Sequence, residues 1–329
     1  MWHLADIEEI SVLLIAYQRV ENVERILSRI ATSGIKNIFI SLDYPSTPDA
    51  DSLNRHEEIV KIIKKFASNP VYRVRLSTFS RNVGCGVAVI KACDWFFNSV
   101  EFGVVLEDDC IPTRGFFDYM QYALGVMKES KEIYIASGSR LHPCLDGSQW
   151  ELNNFPIFWG WGSTSNKWKF LSSQIKEPLP ALLNYPSRFS VQSFYWRAGS
   201  RRVRHGFVDT WDTLISELFY RNNLKNLSPS ISLVQNIGDD EHATHAMSQL
   251  KNLPKAEEEF SLPKSLPIFE VSKNKKCGKY LYKYRARHIV TTTLNQILDL
   301  TFRLYKADKP FEYRVEIAKS HYVEVTSVR

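Results

Sequence analysis

The chain has 329 residues, 44% of them hydrophobic and 24% charged, with a formal net charge of +6. That length holds one large α/β domain with an appendage, or two modest domains, and the composition excludes a disordered or low-complexity chain. The charge is local, because residues 273–290 carry seven Lys and Arg and no acidic residue, so a protein-wide nucleic-acid footprint is excluded and no nucleic-acid partner is expected.

Near the N-terminus the apolar run 12–17 is too short to span a bilayer, and Asp6, Glu8 and Glu9 stand where a secretory signal carries positive charge. Neither a signal peptide nor a membrane anchor is predicted. The five cysteines, Cys85, Cys93, Cys110, Cys144 and Cys277, lack paired zinc-type spacing, as expected of thiols in a reducing compartment. The expected location is cytoplasmic.

Strand and helix signals then alternate as a parallel α/β sheet requires. Residues 10–16 read as a buried strand, and Val23, Ile26, Leu27 and Ile30 share one helical face. Residues 37–42 read as a second strand ending at Asp43, after which Ile59, Ile62, Ile63 and Phe66 mark a second amphipathic helix. Residues 72–76 alternate in strand fashion, 87–97 look helical, and 102–106 form an apolar strand running into Glu107, Asp108 and Asp109. Ligands of open parallel sheets collect beyond the carboxyl ends of strands, so this junction is placed for chemistry.

Beyond Ser137 the alternation fades and aromatic segments at 155–161, 194–204 and 207–211 take over. Prolines and leucines at 262–267 suggest a boundary. The expected organisation is a domain at 1–265, with a donor-binding half at 1–137 and an acceptor half at 138–265, followed by a basic extension at 266–329 that includes a helix at 292–305.

Three adjacent carboxylates repel one another and are costly to desolvate, so their crowding suits a divalent cation, Mn²⁺ or Mg²⁺, shared with a diphosphate. A solvated acidic turn capping the helix that follows Thr113 would use the same residues. The sequence Arg81-Asn82-Val83-Gly84-Cys85-Gly86 followed by Leu106-Glu107-Asp108-Asp109-Cys110-Ile111-Pro112 and Phe116-Phe117 resembles the central block of inverting GT-A glycosyltransferases. It is most similar to the N-acetylglucosaminyltransferase I family and its bacterial relatives, over residues 10–250.

That resemblance implies a mainly parallel α/β sheet flanked by helices and a hexosyl- or N-acetylhexosaminyl-transferase activity using a nucleotide-sugar donor, with UDP as the expected nucleotide. It implies that Asp109 coordinates the metal, that Glu107 and Asp108 face the donor sugar and ribose, that Arg19 lies near the donor phosphates, and that Asp43 reads the uracil or ribose. Arg81 and Asn82 open the Gly-rich turn of the donor site, and Gly84 and Gly86 permit close approach of backbone. The absence of a third glycine and of a P-loop pattern disfavours dehydrogenase and P-loop chemistry.

Inverting transfer also needs a base for the proton of the attacking hydroxyl. Asp209-Thr210-Trp211-Asp212 carries a Trp-Asp pair similar to the family's element, which implies Asp212 as the base, with Asp209 the other candidate. Asp212 is equally placed to cap a helix at 213–220. The Asn236-Ile237-Gly238 and Ala243-Thr244-His245 segments resemble elements of the bacterial relatives, which implies that His245 lies near the diphosphate or metal.

Phe158-Trp159-Gly160-Trp161-Gly162 suits stacking under a sugar as well as core packing. The acceptor is expected to be a glycan or lipid-linked glycan in cell-surface polysaccharide or glycoconjugate assembly, and residues 273–305 read either as a packed helix with a solvated basic face or as a surface for peripheral membrane contact. A sugar-phosphate nucleotidyltransferase and a non-catalytic binding protein of the same fold are the alternatives.

Overall fold

The computed structural model describes residues 10–140, 150–186, 190–238, 256, 315 and 321–325. His245, the basic segment 273–290 and the helix expected at 292–305 lie outside the described residues. The first half follows the apolar periodicity: β1 (Ser11–Ala16), α1 (Val20–Thr32), β2 (Asn37–Leu42), α2 (Ala50–Ala67), β3 (Arg73–Phe79), α3 (Cys85–Ser99) and β4 (Phe102–Glu107). A short β5 (Cys110–Pro112) and α4 (Gly115–Glu129) follow. The second half contains β6 (Ile133–Ser137), β7 (Trp150–Asn153), β8 (Trp161–Thr164), α5 (Ser165–Lys176), α6 (Val191–Arg204), α7 (Asp212–Asn222), β9 (Lys225–Pro229) and β10 (Val234–Asn236), and β11 (Tyr322–Val325) comes last.

Among the described residues nine strands form one sheet in the order β11-β3-β2-β1-β4-β8-β6-β9-β7. β3, β2, β1 and β4 are parallel, β8 is antiparallel to both of its neighbours, β6 and β9 are parallel, and the edge strands β7 and β11 are antiparallel. This is the Rossmann-like architecture, a mainly parallel α/β sheet flanked by helices, that the sequence predicts.

Alternate strand residues feed two helical layers, as expected of a sheet covered on both faces. Val12 and Leu14 pack with Ile26 of α1, Ile63 of α2 and Met120 of α4. Leu13 packs on the other face with Phe96 of α3, Trp168 of α5 and Leu218 of α7. The chain builds β1, β2 and β3 to one side and then crosses to place β4 on the other side of β1. The topological switch point therefore lies between β1 and β4, where such sheets bind ligands.

β11 comes from the segment assigned to the C-terminal extension, and it completes the edge of this sheet. Its neighbour His321 accepts a 2.9 Å hydrogen bond from the Ser80 amide, and the Arg75 guanidinium pairs with Glu324. No helix among the described residues is long and apolar enough to cross a membrane.

Candidate active site

A cleft of about 610 Å³ opens beyond the carboxyl ends of β1, β2 and β4. It brings together Arg19, Asp43, Asn82 and the triplet Glu107 to Asp109, and the loop carrying Asp209 and Asp212 lines it as well. Arg81 is exposed and is not among the lining residues.

The triplet does not cap a helix. β4 ends at Glu107, the chain turns through Asp108 and Asp109, and β5 intervenes before α4 starts at Gly115. Asp108 closes the switch point: its carboxylate accepts from the Tyr17 amide at 2.8 Å and from the Arg19 guanidinium at 2.7 Å. Asp108 is buried, and the Arg19 side chain keeps only 11% of its exposure. Burial pushes the Asp108 carboxyl up, and Arg19 opposes the shift. Arg19, expected beside the donor phosphates, thus commits one guanidinium nitrogen to Asp108.

Asp109 is held by its backbone, whose carbonyl accepts from the Ile237 amide at 2.9 Å. The pairing of β10 with β5 brings this segment in, and a Cβ on Gly238 would collide with the Asp109 carboxylate. The Cys110 thiol donates to the same carboxylate at 3.1 Å. Glu107 is pushed well above the usual carboxylate range by burial, then by the charges of Asp109, Asp108 and Asp212, with Arg19 opposing. Among the described residues no three metal-ligating side chains gather into one group.

At the end of β2, Asp43 is buried and accepts from the Tyr44 amide at 2.8 Å, the Asn82 side-chain amide at 3.1 Å and the Val83 amide at 3.4 Å. Asn82 also donates to the Tyr44 carbonyl at 2.7 Å. Burial raises the Asp43 carboxyl to about 7, and the amide hydrogen bonds only partly offset it.

The two aspartates of the 209–212 loop differ. Asp209 accepts from the amides of Cys85 at 2.8 Å and Gly86 at 3.2 Å, at the start of α3. Asp212 is exposed and is the first residue of α7, and it accepts from the hydroxyls of Thr210 at 2.6 Å and Thr213 at 3.3 Å. The helix preceded by Asp209 in space is therefore α3, and Asp212 lies inside α7 rather than at its cap. Gly84 and Gly86 do permit a close approach, and what approaches is the 209–210 segment.

The Phe158 to Gly162 segment divides. Trp161 is fully buried, and Phe158 and Trp211 pack at a ring separation of 4.4 Å. Trp159 is only partly buried and lines the cleft.

Arg55 and Gln18 escaped the sequence reading. The Arg55 Nε donates to the Gln18 side-chain carbonyl at 3.2 Å, and both residues line the cleft. The signal was present as Asp49, Ser52 and Arg55 at three-residue spacing, which places them along one face of the first turns of α2. Asp49 and Ser52 form a capping box there.

The sequence matches no protein-family model and no curated protein. Among solved structures it is similar to a UDP-glucose pyrophosphorylase complexed with UDP-glucose, at 7% identity and a TM-score of 0.36, over 67% of this chain and 90% of that one. The apo-form glycosyltransferase GlyE of Streptococcus pneumoniae TIGR4 aligns at 12% identity and a TM-score of 0.32, over 71% of this chain and 57% of that one. A glycosyltransferase involved in glycosylation of the major capsid of PBCV-1 aligns at 9% identity and a TM-score of 0.24, over 60% of this chain and 75% of that one. These overlaps are partial, and the functional reading rests on the cleft itself.

Proposed function

We propose that this chain is a metal-dependent inverting GT-A glycosyltransferase that moves a sugar from a nucleotide diphosphate, with UDP as the nucleotide, to a hydroxyl of a glycan or lipid-linked glycan in cell-surface polysaccharide or glycoconjugate assembly. The observation that supports it most is one cleft at the switch point holding three strand-end carboxylates, Asp43 and Asp212. Mn²⁺ or Mg²⁺ uses one or two protein carboxylates and completes its shell with phosphate oxygens and water, so a donor set smaller than three fits it. Asp109, with Glu107 beside it, is the group to hold the cation, and His245 is a further ligand implied by resemblance. When bound, the cation neutralises charge on the departing diphosphate.

The protein's own residues do the rest. Asp43 and Asn82 orient the nucleoside, and the Arg19–Asp108 pair fixes the β1 and β4 ends relative to each other. Asp212 takes the proton of the acceptor hydroxyl as its oxygen bonds to the anomeric carbon and the bond to the donor phosphate breaks. The enzyme works on the cytoplasmic side, where the basic segment 273–305 meets an anionic membrane surface.

The test is a panel of nucleotide sugars assayed with and without Mn²⁺ for thermal stabilisation and donor turnover. Mn²⁺-dependent stabilisation by a UDP-sugar, with release of UDP, is the expected result. Synthesis of a nucleotide sugar from a nucleoside triphosphate and a sugar phosphate would instead establish a nucleotidyltransferase, and no binding of any nucleotide sugar would sink both.

A further inference from the structure

We infer that Asp209 is a positioning residue, which clips the loop bearing Asp212 onto the N-terminus of α3; the catalytic consequence rests on the proposed role of Asp212. A helix leaves its first amides without intrahelical partners. α3 is preceded by Gly84, at φ 84°, which offers no side chain to satisfy them. Asp209 supplies the missing acceptor from another part of the chain: its two carboxylate oxygens take the amides of Cys85 and Gly86 at 2.8 and 3.2 Å. A negative charge at this end is also favoured by the helix dipole.

The fit leaves no slack. A Cβ on Gly84 would lie 2.5 Å from an Asp209 carboxylate oxygen, and one on Gly86 would lie 2.8 Å from the Thr210 carbonyl. Both glycines are therefore required by the approach of the 209–210 segment. Trp211 forms a second anchor, packed 4.4 Å from the Phe158 ring and 5.6 Å from the Trp161 ring.

Asp212 follows these two anchors directly. Its Oδ1 takes the hydroxyls of Thr210 and Thr213, while Oδ2 takes no donor among the described residues. Both aspartates line the cleft, but Asp209 gives both oxygens to backbone amides whereas Asp212 keeps one oxygen without a donor among the described residues. Displacing a reacting group by about 1 Å costs on the order of 100-fold in rate, so loosening the clip must appear in turnover.

The experiment compares Asp209→Ala, Asp209→Asn and Asp212→Asn in the full chain by steady-state transfer and by amide hydrogen exchange. Asp209→Ala lowers kcat by about 100-fold with donor KM within about twofold, and speeds exchange at Cys85 and Gly86. Asp209→Asn keeps one oxygen acceptor and recovers to within about tenfold of wild type. Both keep the acid limb of the kcat–pH profile, whereas Asp212→Asn loses it and leaves exchange at Cys85 and Gly86 unchanged. If Asp209→Asn is as inactive as Asp209→Ala and lacks the acid limb, Asp209 is the base and the proposal fails. Unaltered exchange in Asp209→Ala would also end it. Faster exchange in a protein whose wild type turns over no nucleotide sugar would leave the clip standing and remove the glycosyltransferase reading.

Discussion

On the β2 side of the cleft, Asp43 is enclosed by the amides of Tyr44, Asn82 and Val83, and no cation pairs with it among the described residues. On the β4 side, Arg19 neutralises Asp108, but Glu107 is surrounded by the charges of Asp109, Asp108 and Asp212. Neutral donors finish the first wall from within, as a surface that reads hydrogen-bonding groups requires. The second wall keeps more negative charge than its one arginine balances, and an external cation with a diphosphate is what would match it.

Breaking the second wall has the largest expected effect. Asp109→Ala should lower transfer on the order of a thousandfold, the scale of losing one group aimed at developing charge, and should erase the Mn²⁺ dependence of UDP binding in titration calorimetry. Near-normal activity would refute the metal assignment. Arg19→Met comes next, since it strands Asp108 in a buried site and should cost about 3 kcal/mol in urea unfolding. Adding Asp108→Asn should recover much of that loss, and a cost below about 1 kcal/mol would mean that the pair is solvated.

A smaller change sharpens the contrast. Arg55 lines the first wall and is held by Gln18, so Arg55→Met should weaken UDP binding by about tenfold, the scale of one hydrogen bond to a charged group. The Mn²⁺ dependence should persist. If it vanishes with Arg55, the walls are not separate.

The legibility of the molecule follows the range of its interactions. Residues 10–107 were readable because each strand and helix announces itself locally, through runs such as Leu13-Leu14-Ile15 and the spacing of Val23, Ile26, Leu27 and Ile30. The triplet was readable for the same reason: it directly follows an apolar strand. The insertion of β8 between β4 and β6 was not, because strand order across a sheet is set by pairings such as Gly103 with Ser163, which leave no local pattern. The role of Asp209 was hidden likewise, since its partners Cys85 and Gly86 lie 124 and 123 positions away. Phe158 to Gly162 allowed stacking or packing, and the fold assigns Trp161 to the core and Trp159 to the cleft.

The finest test concerns the ionisation of Asp43. Its folded carboxyl titrates at about 7 against an ordinary value of 3.8, because burial disfavours the charged form. Between these values the folded state binds a proton that the unfolded state has released, so this group makes stability fall as pH rises through the window. Below 3.8 both states are protonated, and above about 7 both are ionised, with the folded state bearing the cost of a buried charge. Asp43→Asn removes that cost but also turns the oxygen that accepts from the Asn82 side chain into a second donor, and the net gain at pH 8 should be about 1 kcal/mol. The variant should melt at or below wild type at pH 5 and above it at pH 8. A melting difference that stays constant or shrinks with pH would show that Asp43 ionises without penalty, and the distinction between the two walls would then rest on the triplet alone.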